Sequence, residues 1–286
     1  MMKYQPPSIY FLHIPKTAGQ SLASLIRSAY PQELEISIYT IPEFLKLSRA
    51  EINKFKCFTG HFGTGLFELL DRDISCVTML RNPFERAVSF IHFATKMARP
   101  DDLSELSNER KEIILQGNLK EFVNDPFLSK TIENSQTLYL GYDLKINNSG
   151  GNYYNIIGRD GREIVYLENL FAQELLCQLD INKVFVNAKK RLDTMEVVGI
   201  VEQFNDSARL ICDFLNIPIP QAFPQENISP AKLSLRNSNY RESGEIPDDV
   251  IKRIDELTAH DREIYEYGKT LFLRQLKNKK KKIFFF

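Results

Sequence analysis

The sequence predicts an α/β fold: a P-loop-like, three-layer arrangement in which a central, mostly parallel sheet is flanked by helices. Three observations support this prediction. Short apolar runs are typical of buried strands, helical patterns separate them, and two of the runs end in loops that carry charged residues. Ligands bind at the carboxyl ends of the strands in such a sheet, so these two loops mark the expected site. The predicted strands are Ile9–Ile14, Cys76–Leu80, Glu163–Leu167 and Val197–Val201.

Helical patterns, with apolar residues three and four positions apart, occupy much of the remaining sequence. Because no internal repeat or domain linker is visible, we expect a single domain over residues 1–275. A basic and aromatic tail is expected over residues 276–286. The predicted helices are Ser21–Ala29, Pro83–Met97, Glu109–Val123, Leu128–Leu140, Asn169–Leu179, Asp206–Leu215 and Pro247 to about Leu273.

The composition is that of a globular protein, with 286 residues, 43% hydrophobic and 26% charged. The formal net charge is zero, which gives no argument for a nucleic-acid partner. The four cysteines are far apart, as expected for free thiols and not for a disulfide framework or a metal site. No apolar run approaches the roughly 18 residues of a membrane span, and no signal-peptide profile is visible. We therefore expect a cytoplasmic protein without a transmembrane segment.

The first charged loop joins the strand at Ile9–Ile14 to the helix at Ser21–Ala29. Residues 15–20 combine Lys16, Gly19 and a threonine hydroxyl. The N–H groups of such a loop and of the helix N-terminus point at one spot, and the lysine adds a full charge, so phosphate is the expected ligand. The glycines that precede the lysine of an ATP-binding loop are missing. At this point Lys16 is equally well explained as a surface lysine.

The second charged loop follows the strand at Cys76–Leu80. Arg81 stands at the strand tip, Asn82 is a suitable N-cap, and Pro83 fits the first helical position. Ser89 lies about two turns along the predicted helix. An arginine at a strand tip and a hydroxyl on the next helix are able to hold one phosphate, the arginine with two parallel hydrogen bonds. The alternative is a structural ion pair for Arg81 and a solvated Ser89.

Together the two motifs, H-I-P-K-T-A-G-Q-S at 13–21 and L-R-N-P-F-E-R-A-V-S at 80–89, resemble those of the sulfotransferases that use 3′-phosphoadenosine 5′-phosphosulfate (PAPS). The resemblance is to the carbohydrate sulfotransferase group that includes heparan sulfate 2-O-sulfotransferase. The family usually has Asp at position 82 and Thr at position 20. Asn82 is a mild change because Asn also caps helices, whereas Gln20 is able to alter a contact to the 5′-phosphate. Weaker similarity covers nearly the whole chain, in segments 59–62, 134–140, 197–204 and 261–268.

The resemblance implies a transferase that moves the sulfuryl group of PAPS to a hydroxyl acceptor and releases 3′-phosphoadenosine 5′-phosphate (PAP), with no metal. The acceptor is expected to be a glycan or another hydroxyl-bearing molecule. Lys16 is the expected catalytic cation at the leaving oxygen. A late polar loop supplies Ser234 and Arg236 as further candidates for donor binding. The remaining implied donor-binding residues are Lys16, Thr17, Ala18, Gly19, Gln20 and Ser21 at the 5′-phosphate, and Arg81 and Ser89 at the 3′-phosphate.

The acceptor hydroxyl needs a general base, and the chain has only four histidines. His61 corresponds to the family's catalytic histidine in its Gly-His segment, and the ordinary pKa of imidazole suits this role. His13 is expected to pack under the first loop, His92 to flank the donor, and His260 to be solvated. A loop histidine bonded only to backbone remains the alternative for His61.

Two other functions stay open on the sequence alone. One is a P-loop kinase or NTPase on the same general fold, against which the missing glycines argue. The other is a nucleotide-binding or interaction protein that has kept the fold without turnover. Lys16, Arg81, Ser89 and His61 argue for an intact active site.

Overall fold

A computed structural model describes residues 6–36, 47–97, 106–141, 180–223 and 246–283. Its strands are β1 Ile9–Leu12, β2 Glu35–Ile36, β3 Cys57–Gly60, β4 Ser75–Leu80 and β5 Val197–Ile200. Its α-helices are α1 Gly19–Arg27, α2 Arg49–Ile52, α3 Gly65–Leu69, α4 Pro83–Met97, α5 Asn108–Gln116, α6 Leu119–Asn124, α7 Ser135–Gly141, α8 Ile181–Thr194, α9 Phe204–Leu215, α10 Asp248–Leu257 and α11 Ala259–Ile283. Short 3₁₀ turns lie at Gln32–Leu34, Leu128–Thr131 and Val201–Gln203.

The strands of the described part form one parallel sheet in the order β2-β3-β1-β4-β5. β1 lies in the centre, and all four of its residues are buried. Leu12, its last residue, pairs with Gly60 of β3 on one side and Thr78 of β4 on the other. The chain runs from β1 to the β2–β3 side and then crosses to β4, so a topological switch point lies between β1 and β4. This is the position where open parallel sheets bind ligands.

Helices cover both faces of the sheet, which gives the predicted three-layer α/β architecture. A Cβ on Gly268 of α11 would lie 2.2 Å from Leu80 and 3.5 Å from Val198. A Cβ on Gly199, which points to the opposite face because side chains alternate along a strand, would lie 3.0 Å from Ser207 of α9. Helices α11 and α9 therefore pack closely on opposite faces of β5.

Two hydrophobic clusters stabilise the described part of the chain. The larger one surrounds β1 and β4 and includes α1, α9 and the sheet-facing side of α11. The smaller one joins α4 to α5, α6 and α10, with Phe84, Val88 and Ile91 of α4 meeting Phe122 and Ile254. α4 contributes to the second cluster along one side, and its Glu85 and Phe93 approach Arg81 and Lys16.

Several predicted elements are confirmed. β1, β4 and β5 and the helices α1 and α9 lie where the pattern placed them, within two residues at each end, and α4 has the predicted bounds. The Asn82 side chain accepts a hydrogen bond from the Glu85 N–H at 3.2 Å, as expected for an N-cap. The predicted strand Glu163–Leu167 and helix Asn169–Leu179 lie outside the described residues.

The predicted helix Glu109–Val123 is instead two helices, α5 and α6. Gly117 between them adopts a φ of 66° in the left-handed region, which ends α5. Asn118 then caps α6 by accepting a hydrogen bond from the Glu121 N–H. The apolar spacing continued across the break and so concealed it.

The two remaining long helical patterns are also interrupted. Leu128–Leu140 is a 3₁₀ turn followed by α7, with Asn134 at a φ of 43° between them. The pattern from Pro247 to Leu273 is divided at Thr258 into α10 and α11, and α11 includes residues 276–283 of the predicted tail. Within the described ranges, no helix combines the length and apolar character that crossing a bilayer requires.

Candidate active site

The candidate site lies at the carboxyl ends of the neighbouring strands β1 and β4. β1 leads through residues 13–18 into α1, and β4 leads through Arg81 and Asn82 into α4. Both sequence motifs therefore meet at one edge of the sheet. The parallel pairing of β1 with β4 is the reason, because it places both strand ends at the same edge.

The loop after β1 is shaped by its backbone. Lys16 and Ala18 both adopt positive φ, 71° and 58°, which turns the chain tightly into α1. The Thr17 hydroxyl donates to the Ile14 carbonyl at 2.8 Å and is buried with it. Ala18, the N-cap, has no side-chain acceptor for the first turn of α1. The N-terminus of a helix favours an anion because its N–H groups point outward and its dipole end is positive.

Gly19 at the start of α1 is required by close packing with His13. A Cβ at this position would lie 1.6 Å from His13 Nε2. The His13 ring is 4% exposed and stacks on Phe11, with ring centroids 5.1 Å apart. The expectation that His13 packs beneath the loop is confirmed. Burial lowers the pKa of His13 well below 6.5, and the nearby His61 and Lys16 act in the same direction.

Arg81 connects the two motifs. Its side chain is largely buried, and its Nη1 donates to the Lys16 carbonyl at 3.3 Å. Its Nη2 lies 3.8 Å from Glu85 Oε2, so the ion pair weighed as an alternative for Arg81 is also present. The guanidinium is thus held beside the loop that follows β1.

Ser89 lies on the side of α4 that is next to Arg81 and Lys16. It lies between Glu85 and Phe93 on one stripe of α4, since residues four apart stack on the same side of a helix. Glu85 contacts Arg81, and the Phe93 ring lies 4.2 Å from Lys16 Nζ. Ser89 is buried, so the alternative of a solvated serine is wrong. Phe93 was not singled out from the sequence, because an aromatic residue in an apolar helical pattern is typical of the hydrophobic core.

His61 follows β3 directly and faces the first loop. Its Nδ1 lies 2.9 Å from the His13 carbonyl oxygen. Because a carbonyl only accepts, Nδ1 carries the proton in the neutral ring and Nε2 is left as the acceptor. The ring centroids of His61 and His13 are 4.3 Å apart, and burial lowers the pKa of His61 below 6.5. His61 is therefore a neutral imidazole whose Nε2 is its basic atom.

The two remaining histidines, His92 and His260, lie on α4 and α11. His92 is exposed on α4. His260 is not solvated as expected: its ring packs against Phe185 with centroids 5.4 Å apart, because it lies in the first turn of α11 next to α8. Ser234 and Arg236 lie outside the described residues. Among the described residues, no group of three or more His, Cys, Asp or Glu is arranged to hold a metal.

Two side chains that the sequence analysis did not assign hold the peptide groups at the end of β4. Gln136 of α7 hydrogen bonds to both the N–H and the carbonyl of Arg81. Glu202, after β5, accepts from the Asn82 N–H at 2.9 Å. Both belong to segments of weak family similarity, which was the only signal for them.

The comparison with protein families agrees with this geometry. The model described as "Sulfotransferase family", of the type 2 group, matches residues 4–268, nearly the whole chain. A search of curated proteins returned no match. The matched range includes both strand ends, the loop with Lys16 and the beginning of α11. The chain is therefore a transferase of the sulfotransferase family.

Proposed function

We propose that the protein transfers the sulfuryl group of PAPS to a hydroxyl acceptor and releases PAP. The observation that carries the proposal is the hydrogen bond from Arg81 Nη1 to the Lys16 carbonyl at 3.3 Å. It brings two anion-binding elements, a loop at a helix N-terminus and a strand-tip arginine, into one crevice. A nucleotide with phosphates at both its 5′ and 3′ positions fits such a pair of elements.

The loop is the proposed 5′-phosphosulfate site. The backbone of Thr17, Ala18 and Gly19, and the first turn of α1 with Gln20 and Ser21, would surround the 5′-phosphate. The Lys16 ammonium would neutralise the charge that develops on the leaving oxygen. When bound, the donor supplies an electrophilic sulfur whose bond to the 5′-phosphate oxygen breaks as the acceptor oxygen bonds to it.

The β4 end is the proposed 3′-phosphate site. Arg81 offers a planar, permanently charged donor fork, and Ser89 on the same side of α4 offers a hydroxyl. Only a nucleotide with a 3′-phosphate uses both groups, which would separate PAPS from ADP and ATP. Ser234 and Arg236 are proposed as additional donor contacts on the resemblance alone.

His61 is the proposed general base. Its Nδ1–H is engaged by the His13 carbonyl, so Nε2 is the atom that would accept the proton of the acceptor hydroxyl. A pKa below 6.5 keeps the ring unprotonated at neutral pH. The acceptor itself is proposed to be a carbohydrate by analogy with the family, since hydroxyl groups are what sugars present in number.

The donor is tested by calorimetry with PAP, ADP and ATP, without magnesium, on the wild type, Arg81→Ala and a control, Arg209→Ala. Arg209 is a matched arginine because it lies exposed on α9 and pairs with Asp206. We expect PAP to bind best and Arg81→Ala to weaken PAP by roughly 10- to 100-fold, as for a lost charged contact. Equal or tighter binding of ATP would refute the donor assignment.

Turnover is tested with ³⁵S-labelled PAPS and a panel of oligosaccharide acceptors. We expect His61→Ala to lower kcat by about 10²- to 10⁴-fold while PAP affinity stays within a few fold. The wild-type rate should fall on acidification with a midpoint below pH 6.5, as the base becomes protonated. Tight PAP binding without transfer to any acceptor would instead indicate a non-catalytic binding protein.

A further inference from the structure

We propose that Gln136 and Asp261 are positioning residues for 3′-phosphate recognition, through hydrogen bonds that fix the peptide from which Arg81 projects. This inference rests on the proposed function, in which Arg81 binds that phosphate. Neither residue needs to touch the donor. Their role follows from three layers of contact, each of which is described in turn.

The Gln136 side chain forms the two backbone hydrogen bonds with Arg81 that a neighbouring strand would otherwise form. Its Oε1 accepts from the Arg81 N–H at 3.0 Å, and its Nε2 donates to the Arg81 carbonyl at 2.9 Å. The pairing of β4 with β5 ends one residue earlier, at Leu80 opposite Ile200. The carboxamide therefore continues the hydrogen bonding of the sheet past its last paired residue. Gln136 is fully buried, so water does not compete for these bonds.

Asp261 holds Gln136 in turn. Its Oδ2 accepts from the Gln136 N–H at 3.1 Å, and its Oδ1 accepts from the Thr137 N–H at 2.7 Å and the Thr137 hydroxyl at 2.8 Å. The carboxylate is fully buried at the N-terminus of α7, where a negative charge is favourable. Its position fixes the first turn of α7 and with it the starting point of the Gln136 side chain.

The capping is reciprocal. Asn134, just before α7, accepts from the His260 N–H at 3.0 Å and the Asp261 N–H at 3.4 Å at the start of α11. Each helix thus caps the other. Burial raises the pKa of Asp261, and the charge of the buried Arg86 acts in the opposite direction. Arg86 donates from Nη2 to the Ser135 hydroxyl at 2.9 Å. These reciprocal bonds tie the start of α7 to the start of α11 through buried groups.

A fixed peptide at Arg81 matters because bidentate binding of phosphate demands one orientation of the guanidinium. The side chain is restrained at its far end by the Lys16 carbonyl and Glu85. Gln136 restrains the backbone end. With both ends held, little conformational freedom is lost on binding, and the 3′-phosphate contact is correspondingly stronger.

The test compares PAP with adenosine 5′-phosphate, which lacks the 3′-phosphate, by calorimetry. The dissociation constant of adenosine 5′-phosphate divided by that of PAP measures 3′-phosphate recognition alone. We expect Gln136→Ala to lower this ratio by about tenfold while the affinity for adenosine 5′-phosphate stays within about twofold. Gln136→Glu keeps the acceptor but loses the Nε2 donor, and we expect an intermediate ratio. Gln275→Ala is the matched control and should behave as wild type, because Gln275 of α11 bonds in the same way to the Val198 N–H and the Glu196 carbonyl, at the start of β5 and away from the site.

Double mutants distinguish an effect on the position of Arg81 from a general loss of nucleotide affinity. In an Arg81→Ala background, Gln136→Ala should cause no further loss of PAP affinity, because it acts only through Arg81. Equal losses for both nucleotides, or an additive double mutant, would overturn the inference. If Arg81→Ala itself left the ratio unchanged, the assignment of Arg81 to the 3′-phosphate site would be wrong, and the proposed function would fail before the inference about Gln136.

A measurement on the wild type covers the case in which a variant does not fold. Amide hydrogen exchange should show the Arg81 N–H protected in the free protein, because Gln136 already holds it. An Arg81 N–H that exchanges freely until PAP is added would mean that the contact forms only on binding. That result would overturn pre-positioning without any substitution.

Discussion

The two halves of the site are built in different ways. The loop after β1 is made of consecutive residues, and its shape comes from positive φ at Lys16 and Ala18 and from packing of Gly19 on His13. The end of β4 is held by Gln136, Glu202 and, one step removed, Asp261, all of them distant in sequence. The conformation of the loop after β1 therefore depends on a few local backbone angles, whereas the end of β4 depends on contacts that only the whole fold brings together.

Replacing Lys16 by Ala tests whether the loop carries the chemistry, and it has the largest expected effect. We expect kcat to fall by about 10²- to 10³-fold, since a cation aimed at developing charge is lost. Thermal stability should change little because the side chain is only partly buried. Rates with saturating PAPS are the measurement, and Lys120→Ala, exposed on α6 and paired with Asp249, is the control. Equal rates in both variants would contradict the role of the loop.

Gly19→Ala tests whether the loop is held from beneath by His13. The new methyl would lie 1.6 Å from His13 Nε2, so either the ring or α1 must move. We expect the free energy of unfolding to fall by about 1–3 kcal/mol, the usual cost of overpacking. Urea unfolding of Gly19→Ala, His13→Ala and the double mutant checks the cause. If the double mutant recovers none of the loss, the clash with His13 is not responsible.

The pH dependence of the free energy of unfolding also tests how the first loop is held by the buried His13. The folded-state pKa of His13 lies well below 6.5, so near pH 6 the unfolded chain binds more protons and stability falls on acidification. Burial is the main cause, and electrostatic interactions with His61, Lys16 and Arg27 also disfavour protonation of His13. We expect a His13→Asn variant to lose less stability than wild type between pH 7.5 and 5.5, by up to about 1.4 kcal/mol per pH unit. Parallel pH profiles in urea unfolding would exclude His13 as the cause.

Phe93→Leu has the smallest expected effect. The ring lies 4.2 Å from Lys16 Nζ, and a partly exposed cation–π contact contributes about 0.5–1 kcal/mol. We expect PAP affinity to change by no more than about fivefold. The direct measurement is the NMR signal of the Lys16 ε-methylene, which should lose its ring-current shift in the variant. An unchanged signal would show that the lysine does not rest on this ring in solution.

What the sequence predicts well is what neighbouring residues determine. The bounds of α4 follow from Asn82, Pro83 and an apolar stripe, and the loop around Lys16 follows from a strand, a glycine and a helix in succession. β3 was missed because Cys57–Gly60 is short and half polar. α8 was overlooked although Val184, Ala188 and Leu192 carry a regular spacing of four. That signal was present in the sequence.

The spacing of residues along the sequence could not predict the contacts around Arg81. Gln136 meets Asp261 across 125 residues, and nothing in either segment alone shows that a glutamine side chain will pair with a strand end. The similarity of both segments to one family indicated that they matter, without indicating how. The structure shows how they matter, because the fold brings α7, α11 and β4 together.

The reciprocal capping of α7 and α11 has a consequence for biosynthesis. α11 is the last helix of the described chain and supplies Asp261, while its Gly268 packs against β4 and β5. On a ribosome, the loop around Lys16 emerges early and is complete as soon as β1 has neighbours. The Arg81 end is not complete until α11 has emerged and docked. A nascent chain would thus hold half of the proposed nucleotide site, and the proposed selectivity for the 3′-phosphate would have to wait until α11 has docked.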